Sequence, residues 1–263
     1  MREFRGDLRA PLPLHPLEKA LLVVAALNVC SLPWMLGGMR SWAQFISLGL
    51  SVAAMILALV PRDYKHELVR GDPYRMQPAK KLIRWPLLWI GLVFFGYVLI
   101  QALNPAWEFV QMENSWGMKK IDHIEWLPTG MRTPFEMMNP WRQMMTWGAP
   151  FLLACALWSG FTRRKSVITL LTVIVSNAVI LALLGMVEHF TSGMRTIFWI
   201  FKTTAFQSYS SFIYKNHAGS FFALMVGVSL ALAIWSHHRA KRKKRRSSPA
   251  PLFVFTSGLM LIA

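Results

Sequence analysis

The stretch 166-SVITLLTVIVSNAVILALLGMV-187 decides the fold class. It runs for 22 residues without a charge, and about 20 helical residues suffice to cross the hydrocarbon core of a bilayer. Its apolar residues come as a block and not in an amphipathic period, which suits a helix surrounded by lipid and other apolar helices. Five further charge-free stretches occur at 20–36, 41–60, 85–103, 143–162 and 217–236. A seventh covers the last 14 residues, 250–263, and rises only about 21 Å against a core of about 30 Å. The pattern predicts an all-α integral membrane protein with six full transmembrane helices, a truncated seventh and a cytoplasmic N-terminus. The short last stretch is expected of the N-terminal half of a longer protein.

Composition agrees. Of 263 residues, 54% are hydrophobic and 16% charged, whereas a soluble domain carries about a quarter charged residues. The first stretch follows Arg2, Arg5 and Arg9, as a signal peptide would. No small-x-small cleavage site follows it and a second span begins almost at once, so it reads as an uncleaved first span. Cys30 and Cys155 both fall within spans. Neither has metal-ligand spacing, and they read as buried free thiols.

The net charge of +17 suggests a nucleic-acid partner until it is mapped. Alternate connections (the N-terminal tail, 61–84, 163–165 and 239–246) hold 21 of the Lys and Arg residues, and the other connections hold eight. Cytoplasmic loops carry such an excess, which sets the N-terminus inside. The tract 241–246 then reads as a topology anchor beside anionic headgroups, with membrane lipid and no nucleic acid as its partner. The organisation is a cytoplasmic tail at 1–19, three spans within 20–103, a periplasmic loop at 104–141, and the remaining spans within 142–263. Trp34, Trp42, Trp85, Trp147, Trp158 and Trp235 fall near span ends, at headgroup level.

The first external connection is bracketed by Asn104-Pro105 and Asn139-Pro140, both turn formers. Ile121, Ile124, Trp126 and Leu127 alternate there with Lys119, Lys120, Asp122, His123 and Glu125, a mixture that predicts a short amphipathic element on the outer leaflet. Consecutive acids and His point in different directions, so a solvated face explains Asp122, His123 and Glu125 better than a metal site does. The second external connection carries Glu188 and His189, then Arg195, Lys202 and Lys215. It is cationic on the side where cations are scarce. The sixth span starts near His217, so its free N–H groups and positive dipole end face the same region. Lys215, the Asn216 amide and that helix start make an anion site; an interfacial N-cap with Lys215 reaching for headgroups is the competing reading.

The run 210-SSFIYKNHAGSFFALMVGVSLAL-232 resembles the Asn-x-Asn-His-(Phe)-Ala signature of the O-antigen ligase and O-antigen polymerase family. The preceding 182-ALLGMVEHFTSGMRTIFW-199 is similar to that family's lead-in, and 126-WLPTG-130 is a weaker match. Asn216 and His217 match the signature directly, Lys215 stands where Arg is usual, and Tyr214 replaces the first Asn. Lys keeps the charge but loses the planar fork that grips phosphate.

The resemblance implies a glycosyltransferase of the bacterial inner membrane, working on the periplasmic face in lipopolysaccharide biosynthesis. It would move a glycan from an undecaprenyl-diphosphate carrier to a glycan or lipid A-core type acceptor, without metal, cofactor or nucleotide-sugar. The departing diphosphate concentrates negative charge, which cations and N–H groups must meet in place. Lys215, Asn216, His217, Arg195 and Lys202 are the candidate donor-binding residues. One close cation contributes about 4 kcal/mol gross at an effective dielectric near 20, so several are needed. The catalytic base is not assigned; in the family it is associated with a large periplasmic loop between later spans, and the chain is expected to be inactive by itself. Other readings are a non-catalytic membrane protein, such as a relic or partner subunit, and a transporter or flippase. The span interiors hold only uncharged polar groups such as Asn28, Gln101 and Asn177, with no internal repeat, which counts against transport.

Overall fold

A computed structural model describes residues 14–64, 74–112, 115–192, 196–202, 208–242 and 247–262. Eight helices lie among them: α1 (Pro16–Trp34), α2 (Ser41–Leu59), α3 (Pro78–Ile83), α4 (Pro86–Leu103), α5 (Pro140–Gly160), α6 (Arg164–Ser192), α7 (Lys215–Arg242) and α8 (Ala250–Ile262). Pro opens α1, α3, α4 and α5 within the first two positions, where its missing N–H costs nothing. Helices α1, α2, α4, α6 and α7 are long and apolar enough to cross a membrane. Helix α5 is as long, at 21 residues, but Arg142, Gln143, Thr146 and Pro150 dilute its apolar content. It packs along α2 and belongs to the same bundle.

The bundle is polar in few places and apolar on its outside. Leu87, Ile90, Val93 and Leu103 of α4 are all more than half exposed, a surface that suits acyl chains and not water. Inside, Ala25, Ala54, Ala58, Ala156, Ala178 and Ala182 are fully buried, since small residues let helix backbones approach in lipid. Side-chain amides join the helices. The Asn28 side chain donates to Ser51 Oγ at 2.8 Å and accepts from Ser47 Oγ at 2.8 Å, tying α1 to α2. Asn177 accepts from Trp34 Nε1 at 2.8 Å and donates to the Cys30 carbonyl at 3.2 Å, tying α6 to α1. Asn28 and Asn177 are thus interhelical clasps, whereas Gln101 donates to the Tyr97 hydroxyl of its own helix at 3.4 Å.

One end of the bundle gathers the basic connections. Glu18 is fully buried there and accepts from Thr162 N, Thr162 Oγ1, Arg163 N and Ser166 Oγ. Its carboxylate therefore caps the start of α6 from the first turn of α1. Arg62, only 1% exposed, donates to the Gly160 carbonyl at 2.6 Å, and Lys81 Nζ donates to the Phe161 carbonyl at 3.0 Å. These two cations meet the carbonyl end of α5, where the dipole is negative. Burial holds the Lys81 amine below its usual pKa, opposed by the nearby Glu18 charge and reinforced by Arg62. The segment 61–84 is thus more than a solvated connector. It pairs β1 (Arg62–Tyr64) with β2 (Tyr74–Met76) and feeds two cations under the bundle.

The opposite end holds the connections with few cations. Between α4 and α5 the chain forms a three-stranded sheet from β3 (Pro105–Gln111), β4 (Trp116–Lys120) and β5 (Gly130–Arg132), with β3 central. Of the expected amphipathic element only Lys119 and Lys120 lie in a strand, the end of β4, and residues 121–127 are irregular. The Asn104 side chain explains the switch: it donates to the Ile124 carbonyl at 3.0 Å and accepts from Ile124 N at 2.8 Å. That clamp satisfies backbone groups that a helix would have used internally.

Candidate functional site

Helix α7 begins at Lys215, two residues earlier than the charge-free stretch indicates. Tyr214 acts as its cap: the Tyr214 carbonyl accepts from His217 N at 3.1 Å and from Ala218 N at 3.3 Å. Lys215 and Asn216 form the first turn, at the positive end of the helix dipole. Lys215, Asn216 and His217 are all exposed, and Ala218 behind them is buried in the core. The Tyr214 and His217 rings meet edge to face at 5.8 Å. Three consecutive helical positions project about 100° apart, so the cation, amide and imidazole fan around the helix start. Among four well-defined cavities, none is lined by these residues. The site is an exposed rim.

Lys202 lies in β7 (Phe201–Lys202), opposite Thr196 of β6 (Thr196–Ile197). Arg195 lies outside the described residues. The structure therefore brings Lys215, Asn216 and His217 onto one helical turn.

What holds that turn in place was not read from the sequence. Phe198 and Trp199 both adopt left-handed backbone angles, φ 55° and 58°. Each non-glycine residue there costs about 1–2 kcal/mol, and the neighbours offset it. Phe198 stacks on Trp34 at 5.8 Å with rings 9° apart. Trp199 N donates to Glu188 Oε1 at 3.1 Å, and Trp199 Nε1 donates to Thr191 Oγ1 at 2.8 Å. Glu188 is only 3% exposed, so its carboxylate anchors the hairpin; His189 beside it is exposed. No Gly or Asn marks this turn, and so no sequence signal announces it.

The segment 208–214 is seated just as firmly. Tyr209 and Phe212 exchange backbone hydrogen bonds at 3.0 and 2.9 Å. The Tyr209 hydroxyl reaches into the bundle and donates to the Ala182 carbonyl of α6 at 3.1 Å. Burial pushes this phenol up to about 12, so it stays a neutral donor. A Cβ on Gly185 would sit 2.3 Å from the Tyr209 ring, so only glycine leaves room for it. Phe212 lies against Gly37, whose φ of +67° turns the chain between α1 and α2. The hydroxyls of Ser210 and Ser211 are buried without hydrogen-bond partners, directly before the α7 start. Tyr209 and Phe212, whose rings pack on Phe221 and Phe222, form the seat from which α7 begins.

No family model matches the chain, and neither a curated protein nor a solved structure shows significant similarity to it.

Proposed function

We propose that this chain holds a lipid-linked glycan donor at the start of α7, as part of a glycosyltransferase resembling O-antigen ligases and polymerases. The observation that carries the reading is the first turn of α7. It presents an exposed cation, amide and imidazole at a helix N-terminus, on the bundle end opposite the basic one. By the positive-inside rule the basic end is cytoplasmic and this rim is periplasmic, with α5 as the fourth of six spans of a bacterial inner-membrane protein.

In this reading the carrier's diphosphate lies against Lys215 and the α7 N–H groups, with Arg195 and Lys202 adding charge from the preceding segment. Lys215 and the helix dipole stabilise the negative charge that grows as the glycan leaves. Asn216 and His217 donate to diphosphate or sugar oxygens and fix the donor's orientation. The undecaprenyl chain runs down the apolar outer surface of the bundle. The acceptor, a glycan or lipid A-core type saccharide, approaches from the periplasm.

The test is glycan transfer by Lys215→Ala and His217→Ala variants in the native membrane at matched abundance, with binding of undecaprenyl diphosphate measured alongside. Loss of one charge-assisted contact, about 1.5–3 kcal/mol, gives an expected drop in transfer of roughly 10- to 100-fold. Unchanged transfer and binding in both variants refute the reading and leave an interfacial cap. Donor binding without transfer is a second reading, because the buried Glu188 carboxylate is committed to Trp199 N and is no free base. Binding that falls in a protein with no transfer in any form supports it.

A further inference from the structure

Between the start of α6 and the end of α7, at the basic end, lies a cavity of about 830 Å³. Arg164 and Lys165 line it from α6, and His238, Arg239 and Arg242 line it from α7, around Trp235. Two guanidiniums lie over the indole, with Arg164 Cζ 5.8 Å and Arg239 Cζ 5.0 Å from its ring centroid. These contacts spread the cations over an aromatic face instead of pairing them with carboxylates. No acidic side chain lines the cavity. Glu18, which bonds the start of α6, is fully buried and occupied by Thr162, Arg163 and Ser166.

Four permanent cations therefore share one cavity with no anion among its lining residues. Arg164, Lys165, Arg239 and Arg242 are exposed, so the charges remain reachable. Both α6 and α7 are long and apolar enough to span a bilayer, which sets their charged ends and the half-buried Trp235 at headgroup level. Clustered cations between transmembrane helices at that depth suit phospholipid phosphates. A monoanionic headgroup would neutralise one of the four.

We propose that this cavity is a binding site for a phospholipid with two phosphates in its headgroup, of the diphosphatidylglycerol class. One phosphate lies between Arg164 and Arg239 beside Trp235, and the second is met by Lys165 and Arg242. The site is independent of the α7 start, which lies at the other end of the bundle.

The test is native mass spectrometry of the full protein released from nanodiscs of diphosphatidylglycerol, phosphatidylglycerol or phosphatidylcholine. The paired variant Arg164→Gln with Arg239→Gln is compared with a control, Lys80→Gln with Arg84→Gln. The control removes the same charge from a second cavity at the same end, lined by Gln77, Lys80, Arg84 and Trp85. Expected is one retained diphosphatidylglycerol per chain in the unaltered protein and the control, with at least tenfold lower retention in the Arg164/Arg239 variant. Equal loss in the control reduces the effect to bulk charge and overturns the proposal. Equal retention in both variants overturns it, and so does equal retention of all three lipids. Displacement of the lipid by millimolar inorganic pyrophosphate, with no lipid preference remaining, overturns it in favour of a soluble anion site.

Discussion

Removing the Glu18 carboxylate is expected to loosen the basic end of the whole bundle. The group is fully buried and accepts hydrogen bonds from Thr162 N and Arg163 N at 3.3 Å each, from Thr162 Oγ1 at 2.5 Å, and from Ser166 Oγ. Each bond to a charged acceptor is worth about 1.5–3 kcal/mol, yet they share one carboxylate and do not add. Breaking one side of a buried charged cluster costs about 3–5 kcal/mol, and that is the expected loss for Glu18→Ala. Glu18→Gln keeps the shape and one carbonyl oxygen, so about half the acceptor capacity survives and the expected loss is about 2 kcal/mol. For a chain of this size 1 kcal/mol moves Tm by about 2–4 °C, which sets Glu18→Ala roughly 6–20 °C below the unaltered protein. Cys155, 1% exposed, supplies the readout, because a thiol-reactive dye labels it only as the bundle opens. Melting of both variants within 2 °C of the unaltered protein would refute the capping role.

Three further outcomes are expected. Gly185→Ala drives a methyl into the Tyr209 ring, at 2.3 Å from its nearest carbon, and overpacking of this kind costs about 1–3 kcal/mol; the Tyr209 and Phe212 amides should then exchange hydrogen faster, and unchanged protection would sink the seat. Gly37→Ala forces a side chain into φ +67° and within 2.8 Å of Phe212, with an expected loss of about 1–2 kcal/mol in the same labelling assay. The third concerns pH. The Lys81 pKa is lowered by burial, so the unfolded chain binds more protons than the folded one between the folded pKa and the ordinary 10.5. Stability from this group therefore rises with pH across that window and is lowest below it. Lys81→Met should flatten the rise in Tm as pH climbs toward 10.5, and a slope equal to that of the unaltered protein would refute the assignment.

The helices were legible because lipid makes a coarse demand. A charge-free run of sufficient length located α1, α2, α4, α5, α6 and α7 to within a few residues at most ends. The ends were misplaced where charge was taken for a stop: α6 continues through Glu188 and His189 to Ser192, and α7 through Arg239 to Arg242. A helix does not end at a charge, only at a cap or a breaker. Glu18 looked like part of a tail because its partners lie far along the chain, and Arg62 looked like one more topology cation. Neither burial is encoded locally. The β3–β5 sheet was missed because Asn104 is a turn former by itself and a clamp only in three dimensions. At the candidate site, Lys215, Asn216 and His217 could be read from their place before an apolar run. Glu188, Phe198 and Tyr209 could not, because their roles depend on which helices they touch.

The spacing of the polar clasps also sets an order of assembly. Asn28 finds Ser47 and Ser51 only 19 and 23 residues on, so α1 and α2 can close as a hairpin while synthesis continues. Glu18 finds Thr162 and Ser166 only 144 and 148 residues on. At about 5–20 residues per second, roughly 7–30 s pass before those partners leave the ribosome. During that interval the first helix carries an unpaired carboxylate at its membrane boundary, hydrated or held by the insertion machinery. One of the first residues made therefore waits for α6 before its carboxylate is paired, and the contact of Arg164 with Trp235 closes at the same end later still.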